Sequence, residues 1–137
     1  MPKQSPIPED VDRGFFEAAN DDRLVIQNCT ACNKLQHPPQ PTCTWCGASE
    51  GELEWREMSG RGTIYSYAVI YDTPVASMQP DQPYNCAIIA LDEDPGIKML
   101  SHLPGTPGDE VPMDAAVEVI FEVTPATGQK VPEWRVV

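Results

Sequence analysis

The 137-residue sequence predicts a mainly β protein: a short N-terminal helix, a four-cysteine zinc ribbon, then a five-stranded barrel of the OB type. Three observations carry that prediction. Cys29-Thr30-Ala31-Cys32 and Cys43-Thr44-Trp45-Cys46 are two Cys-x-x-Cys pairs separated by ten residues. Fifteen prolines spread along the chain leave no room for long helices. After the second cysteine pair, about five β-rich runs alternate with turn signals.

Residues 1–8 contain three prolines and read as a loosely held arm. From Glu9 to Asn20 the pattern changes. Val11, Phe15, Phe16 and Ala19 recur at helical spacing, and Glu9, Asp10 and Asp12 suit the positive end of a helix dipole. Residues 1–23 are thus assigned to arm and helix, 24–52 to the ribbon, and 53–137 to the barrel and a C-terminal tail.

Leu24-Val25-Ile26-Gln27 forms a short strand that leads into the first cysteine pair. Cys29, Cys32, Cys43 and Cys46 supply four thiolates, the tetrahedral set that Zn²⁺ prefers, and such a site leaves no open position for water or substrate. The metal therefore has a structural role. Pro38, Pro39 and Pro41 stiffen the crossing between the pairs, and Gly47 suits a tight turn just after them. Bound iron and two disulfides are the competing readings. Disulfides require an oxidising compartment, and the chain opens Met1-Pro2-Lys3-Gln4 with no apolar stretch resembling a signal peptide. That opening points to a cytoplasmic protein. His37 lies in the loop and reads as a loop residue, since four cysteines already complete the ligand set.

Leu53 to Met58 alternates like a half-buried strand, is interrupted by Ser59-Gly60-Arg61-Gly62, and resumes as Thr63 to Tyr71. Glycines on both sides of an arginine inside a strand pattern mark a bulge or a close backbone approach. A proline-rich loop leads to Tyr84–Leu91, an almost wholly apolar run that predicts a strand covered on both faces, with Cys86 in the core. Asp92 to Gly96 is a turn, Ile97 to His102 the next strand, and Leu103 to Ala116 a long connection. Val117, Val119, Phe121 and Val123 alternate with Glu118, Ile120 and Glu122, a clean strand with one face toward the core. Residues 129–137 form a last short strand or an extended tail.

Composition excludes two classes. A formal charge of −12, from 9 Lys and Arg against 21 Asp and Glu, repels phosphate backbones and argues against a nucleic-acid binder. No apolar run reaches membrane-spanning length, so no membrane partner is expected.

As a set, the N-terminal helix with Phe15-Phe16, the two cysteine pairs, Pro38-Pro39, Ser59-Gly60-Arg61-Gly62-Thr63-Ile64-Tyr65-Ser66, Pro83-Tyr84 and Leu91-Asp92 span nearly the whole chain. In that set the chain resembles the zinc-ribbon/OB-fold acyl-CoA-associated proteins, long catalogued as a domain of unknown function. The resemblance implies a small partner of a thiolase-fold subunit of the lipid-transfer-protein or ketosynthase-like kind, hence a hetero-oligomer. It implies a complex acting on a CoA thioester, first an aldolase of the steroid side-chain-degrading type, with thiolase or acyltransferase complexes and an autonomous acyl-CoA-binding module as alternatives. The large partner would carry the catalysis.

The residues agree with a supporting role. The sequence shows no Ser-His-acid or convincing Cys-His arrangement, so no catalytic residue is assigned, and His102, at a strand end, reads as structural. Arg61 with Gly60 and Gly62 is the candidate contact for a CoA phosphate or a carboxylate of the partner, the competing reading being an arginine paired with a local acid. Phe15, Phe16, Trp134 and Arg135 are candidate partner-interface residues, against internal packing.

Overall fold

The computed structural model describes residues 4–137. Its helix α1 (Arg13–Asn20) precedes eight strands: β1 (Val25–Cys29), β2 (Leu35–Gln36), β3 (Leu53–Glu57), β4 (Arg61–Ile70), β5 (Tyr84–Leu91), β6 (Lys98–Ser101), β7 (Ala116–Val123) and β8 (Lys130–Val136). They form a three-stranded antiparallel sheet in the order β2-β1-β3 and a five-stranded one in the order β6-β5-β4-β7-β8.

The arm expected over residues 1–8 falls partly outside the described residues. Ser5, within them, is held: its hydroxyl accepts hydrogen bonds from the amides of Ala126 and Thr127, each at 3.1 Å. The helix is shorter than the periodicity predicts. Residues 9–12 form a turn in which the Glu9 amide donates to the Asp12 carboxylate at 2.7 Å, and Asp22 ends the helical segment at φ 58°. Phe15, Ala18 and Ala19 are its buried face. Gly14 lies so close to the Trp55 indole of β3 that a methyl there would overlap the ring. At the other end Gln129 Nε2 donates to Phe16 O at 2.9 Å and the Lys130 amide to Asn20 Oδ1 at 3.0 Å, which ties the helix to the β7–β8 hairpin.

Leu53 to Tyr71 is not one long strand broken by glycine. β3 pairs with β1 over Val25↔Glu57 to Cys29↔Leu53 and belongs to the ribbon sheet, whereas β4 belongs to the barrel. Gly60, at φ 77°, turns the chain from one sheet to the other. Gly62 follows at a close approach, since a Cβ on it would stand 2.7 Å from Ala90 O and 2.7 Å from Ile89 Cγ2. The irregularity in the β4–β5 ladder falls later, between Ile64 and Ser66.

β5 is covered on both faces only at its C-terminal end, where Ile89, Ala90 and Leu91 are all buried. Asn85, Ala87 and Ile89 are buried while Cys86 is exposed, so Cys86 is not a core residue. A barrel strand keeps one face outward, and here small and apolar residues on that face made it read as fully enclosed. The barrel is nearly closed. At the seam between β6 and β8, where no ladder forms, Ser101 Oγ accepts from the Trp134 amide at 2.9 Å and donates to Glu133 Oε2 at 2.7 Å. Residues 130–136 are a true strand, with Pro132 tolerated because β8 has a ladder on only one side.

One core runs through both sheets. Phe15, Leu24, Ile26 and Leu35 join Ile64, Ile89, Leu91, Leu103, Val117 and Trp134 in a single buried cluster. Among the described residues no helix is long and apolar enough to cross a membrane.

Candidate functional site

The two cysteine pairs fold as matching knuckles. In the first, the Asn33 amide donates to Cys29 O at 2.7 Å; in the second, the Gly47 amide donates to Cys43 O at 3.0 Å. The residue just after each pair takes a left-handed backbone, Asn33 at φ 57° and Gly47 at φ 75°. Glycine and asparagine are the residues that adopt that conformation at least cost, and the asparagine is the signal the sequence reading passed over.

The knuckles bring all four Sγ atoms within 4.8 Å of one another, with Cys29–Cys46 and Cys32–Cys43 both at 3.7 Å. Four sulfurs about 2.3 Å from a tetrahedral Zn²⁺ lie roughly 3.8 Å apart, so the donor set fits zinc, and it is far too wide for S–S bonds of about 2.05 Å. His37 is not in the cluster; its ring packs on Phe15 with centroids 5.4 Å apart, and burial lowers its pKa. The amides of Cys46 and Trp45, both 3.4 Å from Cys43 Sγ, donate to it and hold that thiol at about 6. Burial pushes the Cys32 thiol up. Metal binding must displace whatever protons remain, so zinc affinity weakens as the pH is lowered.

Behind the cysteines lies a pair of buried glutamines that the sequence reading did not single out. Gln36 Oε1 accepts from the amide and hydroxyl of Thr44, at 2.8 and 3.0 Å, and Gln36 Nε2 donates to Thr42 O and Gln27 Oε1. Gln27 then clamps Gln40, donating to its carbonyl and accepting from its amide, both at 2.9 Å. Through Thr42 and Thr44 these carboxamides fix both sides of Cys43. Replacing Gln36 by leucine will weaken zinc binding by about 10–100-fold, the usual cost of losing an outer-layer partner, as read by competition with a chromophoric chelator. Unchanged affinity would reduce the clamp to loop packing. The signal in the sequence was Gln27 and Gln36 directly after the apolar Val25-Ile26 and Leu35.

The other candidates separate. Arg61 is exposed, and its guanidinium has no ion pair among the described residues. It borders a cleft of about 230 Å³ shared with Asp92, Glu118 and Val137. Gly60 and Gly62 are buried, Gly60 at the turn and Gly62 at the close approach, and Gly62 lines the same cleft as Arg61. Trp134 is fully enclosed and Phe15 nearly so; both pack in the core and offer no surface to a partner. Trp134 went inward because β8 is a barrel strand whose inner face must be filled. Phe16 is half-buried, and Arg135 is exposed, with Nε 2.7 Å from Glu118 Oε1 across the β7–β8 ladder.

His102 stands at the end of β6, its Nε2 3.3 Å from Glu122 Oε1 and its amide donating to Glu133 Oε2 at 3.2 Å. It borders an open groove of about 460 Å³ with Phe16, Met78, Tyr84, Cys86 and Leu100. Asn85, beside it, is buried with neither carboxamide atom hydrogen-bonded among the described residues.

A tetrathiolate ribbon packed through a shared core onto an OB-type barrel defines the class. Two family models match it: "ChsH2, rubredoxin-like zinc ribbon domain" over residues 16–53 and "ChsH2, C-terminal OB-fold domain" over residues 55–122. The chain belongs to this DUF35 family of zinc-ribbon/OB-fold proteins. It is 31% identical over 106 residues to a DUF35 domain-containing scaffold protein of Methanothermobacter thermautotrophicus, covering 77% of either chain. It is 38% identical over 97 residues to a probable enoyl-CoA hydratase alpha subunit of Thermomonospora curvata; the match takes in 71% of this chain but 28% of that relative's length. Among solved structures it is similar to a chain of the Ltp2-ChsH2(DUF35) aldolase, with TM-score 0.81, 30% identity and coverage of 96% of this chain and 98% of the other. A DUF35 protein of Sulfolobus solfataricus shares the fold at TM-score 0.64 and 17% identity, over 93% and 86% of the two chains.

Proposed function

We propose that this chain is the small, zinc-bearing subunit of a heteromeric thiolase-fold enzyme acting on acyl-CoA. The reaction it supports is carbon–carbon cleavage of a β-hydroxyacyl-CoA of the steroid side-chain type. The observation that carries this reading is the end-to-end likeness to a chain of an aldolase complex, at 98% coverage of that chain. Scaffold-protein names among its relatives support the same role.

Retro-aldol cleavage needs a base for the β-hydroxyl and donors for the thioester enolate. In this reading the thiolase-fold partner supplies both. The ribbon's thiolates are committed to the metal, and this chain orders the partner and borders its CoA site. Arg61 is the residue proposed to meet a CoA phosphate or a partner carboxylate, and Phe16 and Arg135 are proposed to touch the partner.

The test is retention of a thiolase-fold chain by this protein from its native lysate, followed by assay on β-hydroxyacyl-CoA. A stoichiometric complex that cleaves the substrate only when both chains are present is the expected result. A monomer that binds CoA by itself and retains no second chain would overturn it in favour of an autonomous carrier.

A further inference from the structure

The ladder between β4 and β7 runs only from Arg61 to Thr63, and Ile64 makes the last backbone bonds on that side, to Asp114 and Ala115. After the irregularity at Tyr65, β4 continues to pair with β5 on its other side from Ser66 to Ile70, with no backbone partner on the outer side among the described residues. The side chains there are open to solvent: Tyr65 is 60% exposed, Tyr67 40% and, just past the strand, Tyr71 66%.

Three of the strands at the sheet ends carry the usual protection against unwanted pairing: β3 has Glu54, Arg56 and Glu57, β6 has Lys98, and β8 has Pro132, Glu133 and Arg135. From Thr63 to Tyr71 there is no charge and no proline, only β-branched, aromatic and small residues. A bare edge of that composition is an association surface, because each unpaired amide and carbonyl there is a template for another strand.

We propose that the outer edge of β4, residues 65–70, receives an extended segment of the large partner chain as an added strand. The inference rests on the subunit reading above and says where the subunits join. Main-chain hydrogen bonds supply affinity, and the tyrosines supply apolar area at low entropic cost. Charge selects the occupant. A second copy would bring −12 against −12, whereas Asp72, just past one end of the edge, favours a segment with an uncharged middle and a basic flank at that end, the other end having Lys98 over the Tyr65 ring at 4.5 Å.

The experiment is hydrogen exchange on the reconstituted two-chain complex and on this chain alone, with Ala68→Lys as the edge-blocking variant. Ala68 is exposed, so the lysine leaves folding and zinc content unchanged. The expected result is exchange at 65–70 slowed at least tenfold in the complex, and a complex weakened at least tenfold by Ala68→Lys but not by Ala126→Lys on another exposed turn. A complex that forms without slowing exchange at 65–70, or that ignores Ala68→Lys, overturns the edge and leaves the subunit reading standing. Protection that grows with the concentration of this chain alone assigns the edge to a second copy and overturns the proposal. Failure to form any complex removes both.

Discussion

Replacing Cys43 by serine, or stripping the metal with a chelator under reducing conditions, will unfold residues 25–57 and lower the melting midpoint of the barrel. Apart from the burial of β1 and its ladder with β3, the ribbon has little else to hold it. β2 is two residues long, β3 is mostly exposed, and the loop carrying Cys43 and Cys46 is joined to β1 through the glutamine pair and the thiolates. Structural zinc contributes about 10–16 kcal/mol of apparent binding energy in small ribbons and fingers, as much as the whole stability of an ordinary domain at about 5–15 kcal/mol. The barrel will not escape, because Leu24, Ile26 and Leu35 of the ribbon lie in the same core as Ile64, Ile89 and Trp134. Hydrogen exchange will show rapid opening of β1 and β3, with β4–β8 still protected but melting at a lower temperature. Chelation that leaves the exchange of residues 25–57 unchanged would show that the metal is not structural.

Gly62→Val will destabilise the barrel by about 3 kcal/mol or more, at the top of the range for overpacked sites. The obstruction is not a side chain that can turn aside. A Cβ at Gly62 meets Ala90 O, part of the β5 backbone, at 2.7 Å, and β4 there is paired on both sides, Gly62 facing Leu91 and Val117. Relief requires pulling β4 from β5 at the point where both ladders meet. For a chain of this size the loss corresponds to a fall in Tm of roughly 10 °C. Gly51→Ala is the control, since nothing lies within 4 Å of a Cβ there, and its Tm should be unchanged. Equal melting of Gly62→Val and the parent would mean that the two strands do not approach as closely as described.

How much was legible beforehand follows from the range of each interaction. The metal ligands were readable because a knuckle is local: four residues and the one after them determine the turn, so spacing alone specifies the donor set. The strand Ala116–Val123 was readable for the same reason, but not its faces: only Val117 is fully buried, and Val123, expected on the core side, is 62% exposed at the strand's end. The Gly60–Gly62 pair was legible as a constraint but not as a boundary, since the same glycines suit a bulge within one strand or a passage between two sheets. Trp134 and Cys86 went the wrong way because hydrophobicity says that a residue can be buried and is silent on which face its strand will turn inward. Gln27 and Gln36 could be seen as polar residues directly after apolar ones, but their partners at Gln40, Thr42 and Thr44 exist only once the proline loop folds back on β1.

By itself the sequence determined the fold class, the four thiolates, the acidic balance and the family resemblance, because these reside in composition and in patterns a few residues long. Only the tertiary structure decided that β3 belongs with the ribbon, that one core serves both sheets, that Trp134 faces inward while Arg61 and Arg135 face out, and that β4 runs past β7 and leaves residues 65–70 open on that side. Each of those depends on which distant strand lies alongside, and strand pairing is settled by the burial of a shared core across long stretches of chain.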